Sequence, residues 1–276
     1  MRRGRRRERS STARYDPSPG PRRVEWGGGF PEWARCDSWI FKVPSGSQSS
    51  SRLAPSEWEK LLVWEVPKSA LYLVAGRAQA RGRPYLDVVA AALEGGVDVL
   101  QMREKGGTRK DLLELGRRLH DLTQRYGIPL VVNDDPQLAR DLGAEGLHLG
   151  QGDTSPEAAR RIVGERVFIG LSTHDADQIL AARGRGLDLI GVGPLYPTRT
   201  KENAEAPVGV DLLRRASVLA PELAAFGIGG IDRERARLLV SKGCRRLAVS
   251  SAILGASDPF EATSRLKEIL AIPSAQ

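Results

Sequence analysis

Val97-Asp98-Val99-Leu100-Gln101-Met102-Arg103-Glu104-Lys105 is a short apolar run that turns polar at its end. A run of that length bounded by polar residues reads as a buried strand with its chemistry at the exit. The same transition recurs down the chain. Asn133-Asp134-Asp135 follows apolar residues 130–132, Gln151-Gly152-Asp153 follows 146–150, and Ser172-Thr173-His174 follows 168–171. Thr198-Arg199-Thr200-Lys201, Gly229-Gly230 and Ser250-Ser251 bring the clusters to seven. Polar groups at the same end of successive parallel strands meet in space, and in a closed barrel of eight βα units that end carries the active site.

The segments between the clusters have helical patterns. Pro84 to Leu93 places Leu86, Val89, Ala90 and Leu93 on one face. Thr108-Arg109-Lys110-Asp111 is a capping-box pattern, and its helix stops at Gly127 with Pro129 beyond. Asp135-Pro136, Ser155-Pro156 and Asp258-Pro259 pair a cap with a proline in the first turn, where no donor is wasted. Strands are expected at 70–75, 97–103, 130–133, 146–150, 167–171, 187–192, 223–227 and 246–250. Eight βα units in about 200 residues specify an α/β fold, a single (β/α)8 TIM barrel. An open doubly wound sheet would spread the clusters along an edge instead of gathering them.

Length and composition agree. The 276 residues are 41% apolar and 28% charged, an ordinary composition for a globular chain with ample core. Of the net charge of +8, residues 1–65 hold +5, with 13 Lys/Arg against 8 Asp/Glu. They open with Arg2-Arg3-Gly4-Arg5-Arg6-Arg7 and continue rich in Ser, Pro and Gly, so 1–65 reads as a largely disordered extension and 66–276 as the catalytic domain. The arginine run reads as a solvated extension rather than a nucleic-acid or targeting tail, because no apolar signal core follows it and acids are interspersed. No apolar stretch is long enough for a membrane helix. Cys36 and Cys244 make neither a metal spacing nor a disulfide framework, which suits a reducing, cytoplasmic setting. The pattern sets no oligomeric state.

Residue chemistry narrows the function. Gln101, Arg103 and Lys105 alternate, so an extended chain points them one way, which suits a diphosphate beside a heterocycle; a solvated strand end with Glu104 as partner is the plainer reading. Asp134 and Asp153 follow neighbouring strands and together suit Mg²⁺, which takes few protein carboxylates and completes its shell with water and phosphate. Asp135 reads as a helix cap, and capping remains open for Asp153. Thr198, Thr200 and Lys201 lie in a proline-bounded loop of the kind that closes over phosphate. The glycines at 227–230 and Ser250-Ser251 follow strands seven and eight, where barrels commonly hold phosphate through backbone N–H groups. His148 reads as a core residue, His120 as solvated, and His174 as a group that orients a ligand. No Gly-x-Ser-x-Gly elbow supports a hydrolase.

Gln-Met-Arg-Glu-Lys, Asn-Asp-Asp, His-Leu-Gly-Gln-Gly-Asp, Gly-Leu-Ser-Thr-His, Pro-Thr-Arg-Thr-Lys, Gly-Ile-Gly-Gly-Ile and Val-Ser-Ser-Ala-Ile, in this order from Ala70 to Ile272, resemble the thiamine-phosphate synthase family. The resemblance implies a transferase of thiamine biosynthesis that joins a hydroxymethylpyrimidine diphosphate to a thiazole phosphate and releases pyrophosphate. It implies that Gln101, Arg103, Lys105, Asn133, Ser172 and Lys201 bind the pyrimidine diphosphate, with Arg103, Lys105, Ser172 and Lys201 serving catalysis. Thr198, Thr200, Gly230, Ser250 and Ser251 would hold the thiazole phosphate, and Asp134 and Asp153 would hold Mg²⁺. Ser250 replaces a usual aliphatic residue, and Phe226 a small one before the glycine turn. A thiazole tautomerase of the same fold is the rival within the family, and it needs no metal–diphosphate clamp. A non-catalytic phosphate or nucleic-acid binder leaves both aspartates unexplained beside bound anions. The implied partners are therefore small-molecule substrates, with no nucleic acid and no membrane.

A chain beginning at Val66 should fold and form thiamine phosphate about as fast as the full-length protein, measured by product formation and thermal melting. Loss of activity on deletion only as far as Arg52 would contradict the reading of 1–65.

Overall fold

The apolar runs form strands because each is covered on both faces, by the barrel interior on one side and by a helix on the other. The computed structural model describes residues 66–198, 200 and 205–273. The extension expected at 1–65 and Lys201 lie outside the described residues. The strands are β1 (Ala70–Ala75), β2 (Val99–Met102), β3 (Leu130–Asn133), β4 (Gly146–Leu149), β5 (Phe168–Thr173), β6 (Leu189–Val192), β7 (Ala224–Ile228) and β8 (Arg246–Val249). The helices are α1 (Tyr85–Glu94), α2 (Arg109–Tyr126), α3 (Pro136–Leu142), α4 (Pro156–Val163), α5 (Ala176–Ala181), α6 (Gly209–Leu219), α7 (Arg233–Ser241), α8 (Ser251–Leu254) and α9 (Pro259–Ala271). All eight strands pair in parallel and in chain order into a closed barrel.

Followed around the ring, the strand registers return to their start displaced by eight residues. That stagger makes inward side chains from alternate strands share a height, in layers of four. One layer holds Val99, Gly146, Leu189 and Arg246. Above it lie Tyr72, Val131, Gly170 and Phe226, then Gln101, His148, Gly191 and Ala248. Val74, Asn133, Ser172 and Ile228 follow, and Arg103, Gly150, Gly193 and Ser250 make the rim. The interior apolar cluster contains Tyr72, Val99, Val131, Phe168, Leu189, Phe226 and Ala248, which fixes which parity faces in. Tyr72 and Phe226 meet edge to face, centroids 5.4 Å apart. Phe226 thus fills the barrel centre, two residues below the turn at Ile228 and Gly229.

The other parity packs outward beneath the helices, with Leu71, Leu73, Leu100, Leu130, Leu147, Ile169 and Leu247 fully buried against residues such as Val89, Leu119, Ile179 and Leu239. The expected caps form. Thr108 and Asp111 make the reciprocal capping box of α2, and Gly127 ends it in the left-handed conformation. Asp135, Ser155 and Asp258 cap α3, α4 and α9, each with proline in the first turn. Several boundaries differ from the sequence expectation. The second strand is shorter than 97–103, although the Arg103 N–H still reaches Ala75 O at 2.8 Å. Ser172 and Thr173 lie inside β5 rather than after it, because their backbone ladders with Gly191 and Val192.

The N-terminal mouth is closed by Val66, which packs against the interior cluster, and by the Arg246 Nε, which donates to Pro67 O at 2.7 Å. Nearby, Glu145 accepts from His120 Nε2 at 3.0 Å and from the Leu130 N–H at 2.9 Å, tying α2 to the starts of β3 and β4. His120 is therefore no solvated bystander. Its hydrogen bond to Glu145 outweighs burial and raises its pKa above the ordinary value. A raised folded-state pKa gives stability that is full below the unfolded value, near 6.5, and is lost as pH rises through the folded value. Melting temperature should fall across that window in the wild-type chain and be flatter in His120→Asn, measured by calorimetry from pH 5 to 9. Parallel curves would contradict the pair's role.

Candidate active site

Polarity rises layer by layer toward the C-terminal end of the barrel. Gln101 is 3% exposed, and its Nε2 has no hydrogen-bond partner among the described residues. Arg103 stands one layer pair above it, on the same face. Glu104 is engaged elsewhere, accepting the Arg77 N–H at 2.7 Å and pairing with Arg77 Nε at 3.1 Å. The plainer expectation, Glu104 neutralising its basic neighbours, therefore does not hold. Lys105 follows beyond the strand, exposed.

Asn133 ends β3, and the chain then turns sharply. Asp134 takes φ +67°, a left-handed conformation that Asp tolerates better than most residues. The turn is fixed by its N–H donating to His148 O at 2.8 Å and by the Asp135 N–H donating to Asn133 O at 2.8 Å. Asp135 is the helix cap, as read, and also pairs with Arg109 at 2.6 Å. Asp153 is not a helix cap, because Ser155 takes that role for α4. Its Oδ2 instead accepts the Gly150 N–H at 2.7 Å, which holds the loop after β4.

His148 connects these groups. Its Nε2 lies 3.0 Å from Ser172 Oγ, and its ring fits only because residue 170 is glycine. A Cβ at Gly170 would stand 2.5 Å from the ring Nδ1. Burial lowers the His148 pKa to about 4; the charge of Asp153 opposes that shift and the charge of Arg103 adds to it. Ser172 is held a second time, by Gln151 Nε2 donating to its carbonyl at 2.6 Å.

Across the barrel mouth, the loop after β6 meets the turns after β7 and β8. The Thr200 N–H donates to Thr198 Oγ1 at 3.2 Å, and the Thr200 and Ser251 hydroxyls are 3.5 Å apart. Gly229 and Gly230 have φ of +99° and +63°. A Cβ on Gly230 would lie 2.6 Å from Pro197 O, so the two loops pack backbone to backbone. Arg235 clamps the turn by donating to Gly230 O at 2.5 Å while its guanidinium lies 4.6 Å over the Tyr196 ring. The Ser250 Oγ is buried in the rim without a hydrogen-bond partner among the described residues. His174 uses Nδ1 on Gly193 O, so it supports the β6 loop rather than facing a ligand. The structure thus brings Gln101, Arg103, Asn133, Asp134, Asp153 and Ser172 to one end of the barrel, with Thr198, Thr200, Gly230, Ser250 and Ser251 on the opposite wall.

The roles of His148, Gln151 and Arg235 were not legible as function from the sequence. A signal for His148 was present: it shares the inward parity of Gly146 and Gly150, two residues away on either side.

The family model of thiamine monophosphate synthase matches residues 71–253, from β1 into α8. The chain belongs to the thiamine monophosphate synthase family. It is 40% identical to the thiamine-phosphate synthase of Geobacillus kaustophilus over 202 residues, 72% of this chain and 90% of that one. It is 38% identical to the Chloroflexus aurantiacus synthase over 204 residues, 73% of this chain and 93% of that one. Among solved structures it resembles thiamine phosphate pyrophosphorylase from Pyrococcus furiosus, with a TM-score of 0.66 and 32% identity over 74% of this chain and 96% of that chain. All seven motifs lie inside the matched span.

Gly230→Ala should disturb the synthase site more than the fold. A left-handed alanine costs about 1–2 kcal/mol, and the contact with Pro197 must open. Substrate KM should rise with only a modest melting shift, measured by steady-state kinetics and calorimetry. Unchanged kinetics would show that the turn is not part of the site.

Proposed function

We propose that the chain condenses 4-amino-2-methyl-5-hydroxymethylpyrimidine diphosphate with the phosphate ester of a hydroxyethylthiazole, giving thiamine phosphate and pyrophosphate. Membership of the family carries the reaction. The convergence of Gln101, Asn133, Ser172 and Arg103 above the interior apolar cluster supports its location at the C-terminal mouth.

In this reading Gln101 uses its unpartnered amide on the pyrimidine, which sits above the Gln101–His148 layer. Arg103 and Lys105 face the diphosphate, with Lys201 as the third cation that serves it. Asn133 and Ser172 donate to its oxygens. The C–O bond to the diphosphate breaks with both electrons leaving on oxygen. The aminopyrimidine ring stabilises the resulting methylene cation, and the thiazole nitrogen lone pair forms the new C–N bond. No enzyme nucleophile is needed. The cationic residues act as charge builds on the leaving group, which is where binding energy accelerates the step. The Gly229-Gly230 turn, Thr198, Thr200 and the start of α8 at Ser250-Ser251 hold the thiazole phosphate through hydroxyls and backbone N–H groups.

Asp134 and Asp153 fit Mg²⁺ by their chemistry: they are two hard carboxylates after the neighbouring strands β3 and β4, and no group of three or more His, Cys, Asp or Glu among the described residues forms a protein cage. A bound Mg²⁺ would neutralise diphosphate charge there, with water and phosphate filling its shell. The proposal places the catalytic domain at 66–276. Among the described residues no helix is long and apolar enough to cross a membrane, and the setting we propose is cytoplasmic.

The test is purified protein with both substrates, followed by pyrophosphate release and thiamine phosphate formation. Mg²⁺-dependent release requiring both substrates is expected. Isomerisation of the thiazole phosphate without coupling would instead support the tautomerase. For the aspartates, Asn is the clean substitution: it keeps the left-handed backbone at 134 and an acceptor for Gly150 at 153. Asp134→Asn and Asp153→Asn should each lower turnover about a hundredfold or more, with melting temperature little changed. Normal turnover in both at saturating Mg²⁺ would remove them from the site.

A further inference from the structure

The proposed chemistry uses Ser172 but leaves the buried imidazole beneath it without a task. The two nitrogens of His148 have different surroundings. Nε2 lies 3.0 Å from Ser172 Oγ, whereas Nδ1 is buried against Gly170 with no hydrogen-bond partner among the described residues. A neutral imidazole carries one proton, and an N–H buried without an acceptor costs more than a bare ring nitrogen. The proton therefore belongs on Nε2, and Nε2–H donates to Ser172 Oγ. A serine hydroxyl that accepts from below has its own proton left to give. Its layer contains Asn133, and the rim above holds Arg103 and Ser250, the side from which an anion arrives.

The placement is constructed on both sides. Gly170 clears the space for the ring, and the Gln151 amide fixes the Ser172 carbonyl at 2.6 Å. From this geometry we infer that His148 is a positioning residue: by donating from Nε2 to Ser172 Oγ it directs the serine hydroxyl proton to the diphosphate end of the pyrimidine substrate. The inference rests on the proposed role of Ser172 in binding that substrate. His148 itself touches no reacting atom. A glutamine at this position, whose amide can donate from about where Nε2 stands, preserves the arrangement, whereas leucine removes it.

The experiment is a double-mutant cycle on the full chain, with kcat/KM for the pyrimidine diphosphate as readout. His148→Leu should lower kcat/KM about tenfold, the worth of one directed hydrogen bond, and His148→Gln should recover most of it. In the Ser172→Ala background, His148→Leu should cost no more than about twofold. An equal loss in both backgrounds overturns the inference while leaving Ser172 in the site. A wild-type kcat/KM for Ser172→Ala overturns the reading of Ser172 and the inference with it. Should His148→Leu fail to fold, the ¹⁵N spectrum of the wild-type ring still decides. Protonated Nε2 with bare Nδ1 supports the inference, and the opposite tautomer overturns it.

Discussion

Everything in this molecule depends on the closed parallel ladder and its stagger of eight residues. Once β8 hydrogen-bonds to β1, no strand can slip without moving all of them. The stagger then decides which side chains share a height. Val99, Leu189, Tyr72, Val131 and Phe226 are stacked in the lower layers, where they exclude water. Gln101, His148, Asn133 and Ser172 occupy the next two, beneath a rim with Arg103 and Ser250. A one-residue slip would exchange these for residues that now lie under the helices, losing the core and the site together.

The site combines two kinds of group that ordinarily conflict. Phosphate chemistry needs cations and hard oxygens, while a buried interior penalises charge. The barrel separates them by height. Charged Arg103, Asp134 and Asp153 lie at the open end, and the polar groups of the two layers directly below are neutral: amides, a serine and an imidazole whose burial keeps it uncharged. Glycines supply the room, at 170 for the ring and at 229 and 230 for the close approach of two loops. Arg235 fixes that approach through the Gly230 carbonyl.

Much of this was legible in the sequence because the signals are local. Apolar runs ending in polar clusters gave the strand count and the end at which chemistry gathers. Thr108 with Asp111, and the Asp135, Ser155 and Asp258 caps, each depend on residues within one helical turn. Asp134 and Asp153 could be separated from the capping residues beside them only with coordinates, since Asp135 and Ser155 are equally good caps on paper. What the sequence hid are contacts across long separations. His148 reaches Ser172 through a register that no local pattern encodes, and Glu104 turns to Arg77, 27 residues earlier, rather than to its neighbours. His120 looked solvated because Glu145, its partner, lies on the next βα unit. Phe226, which stands where a small residue is usual before the glycine turn, points into the barrel centre against Tyr72.

The central claim is that the layered polar end of the barrel is where the pyrimidine diphosphate binds and reacts. A crystal structure of the protein with thiamine phosphate, pyrophosphate and Mg²⁺ tests this most directly. The account predicts pyrophosphate between Arg103, Ser172 and the two aspartates, with the pyrimidine ring over Gln101 and the thiazole phosphate at Gly230 and Ser251. Product density on the helical exterior, or at the N-terminal mouth near Arg246, would contradict it.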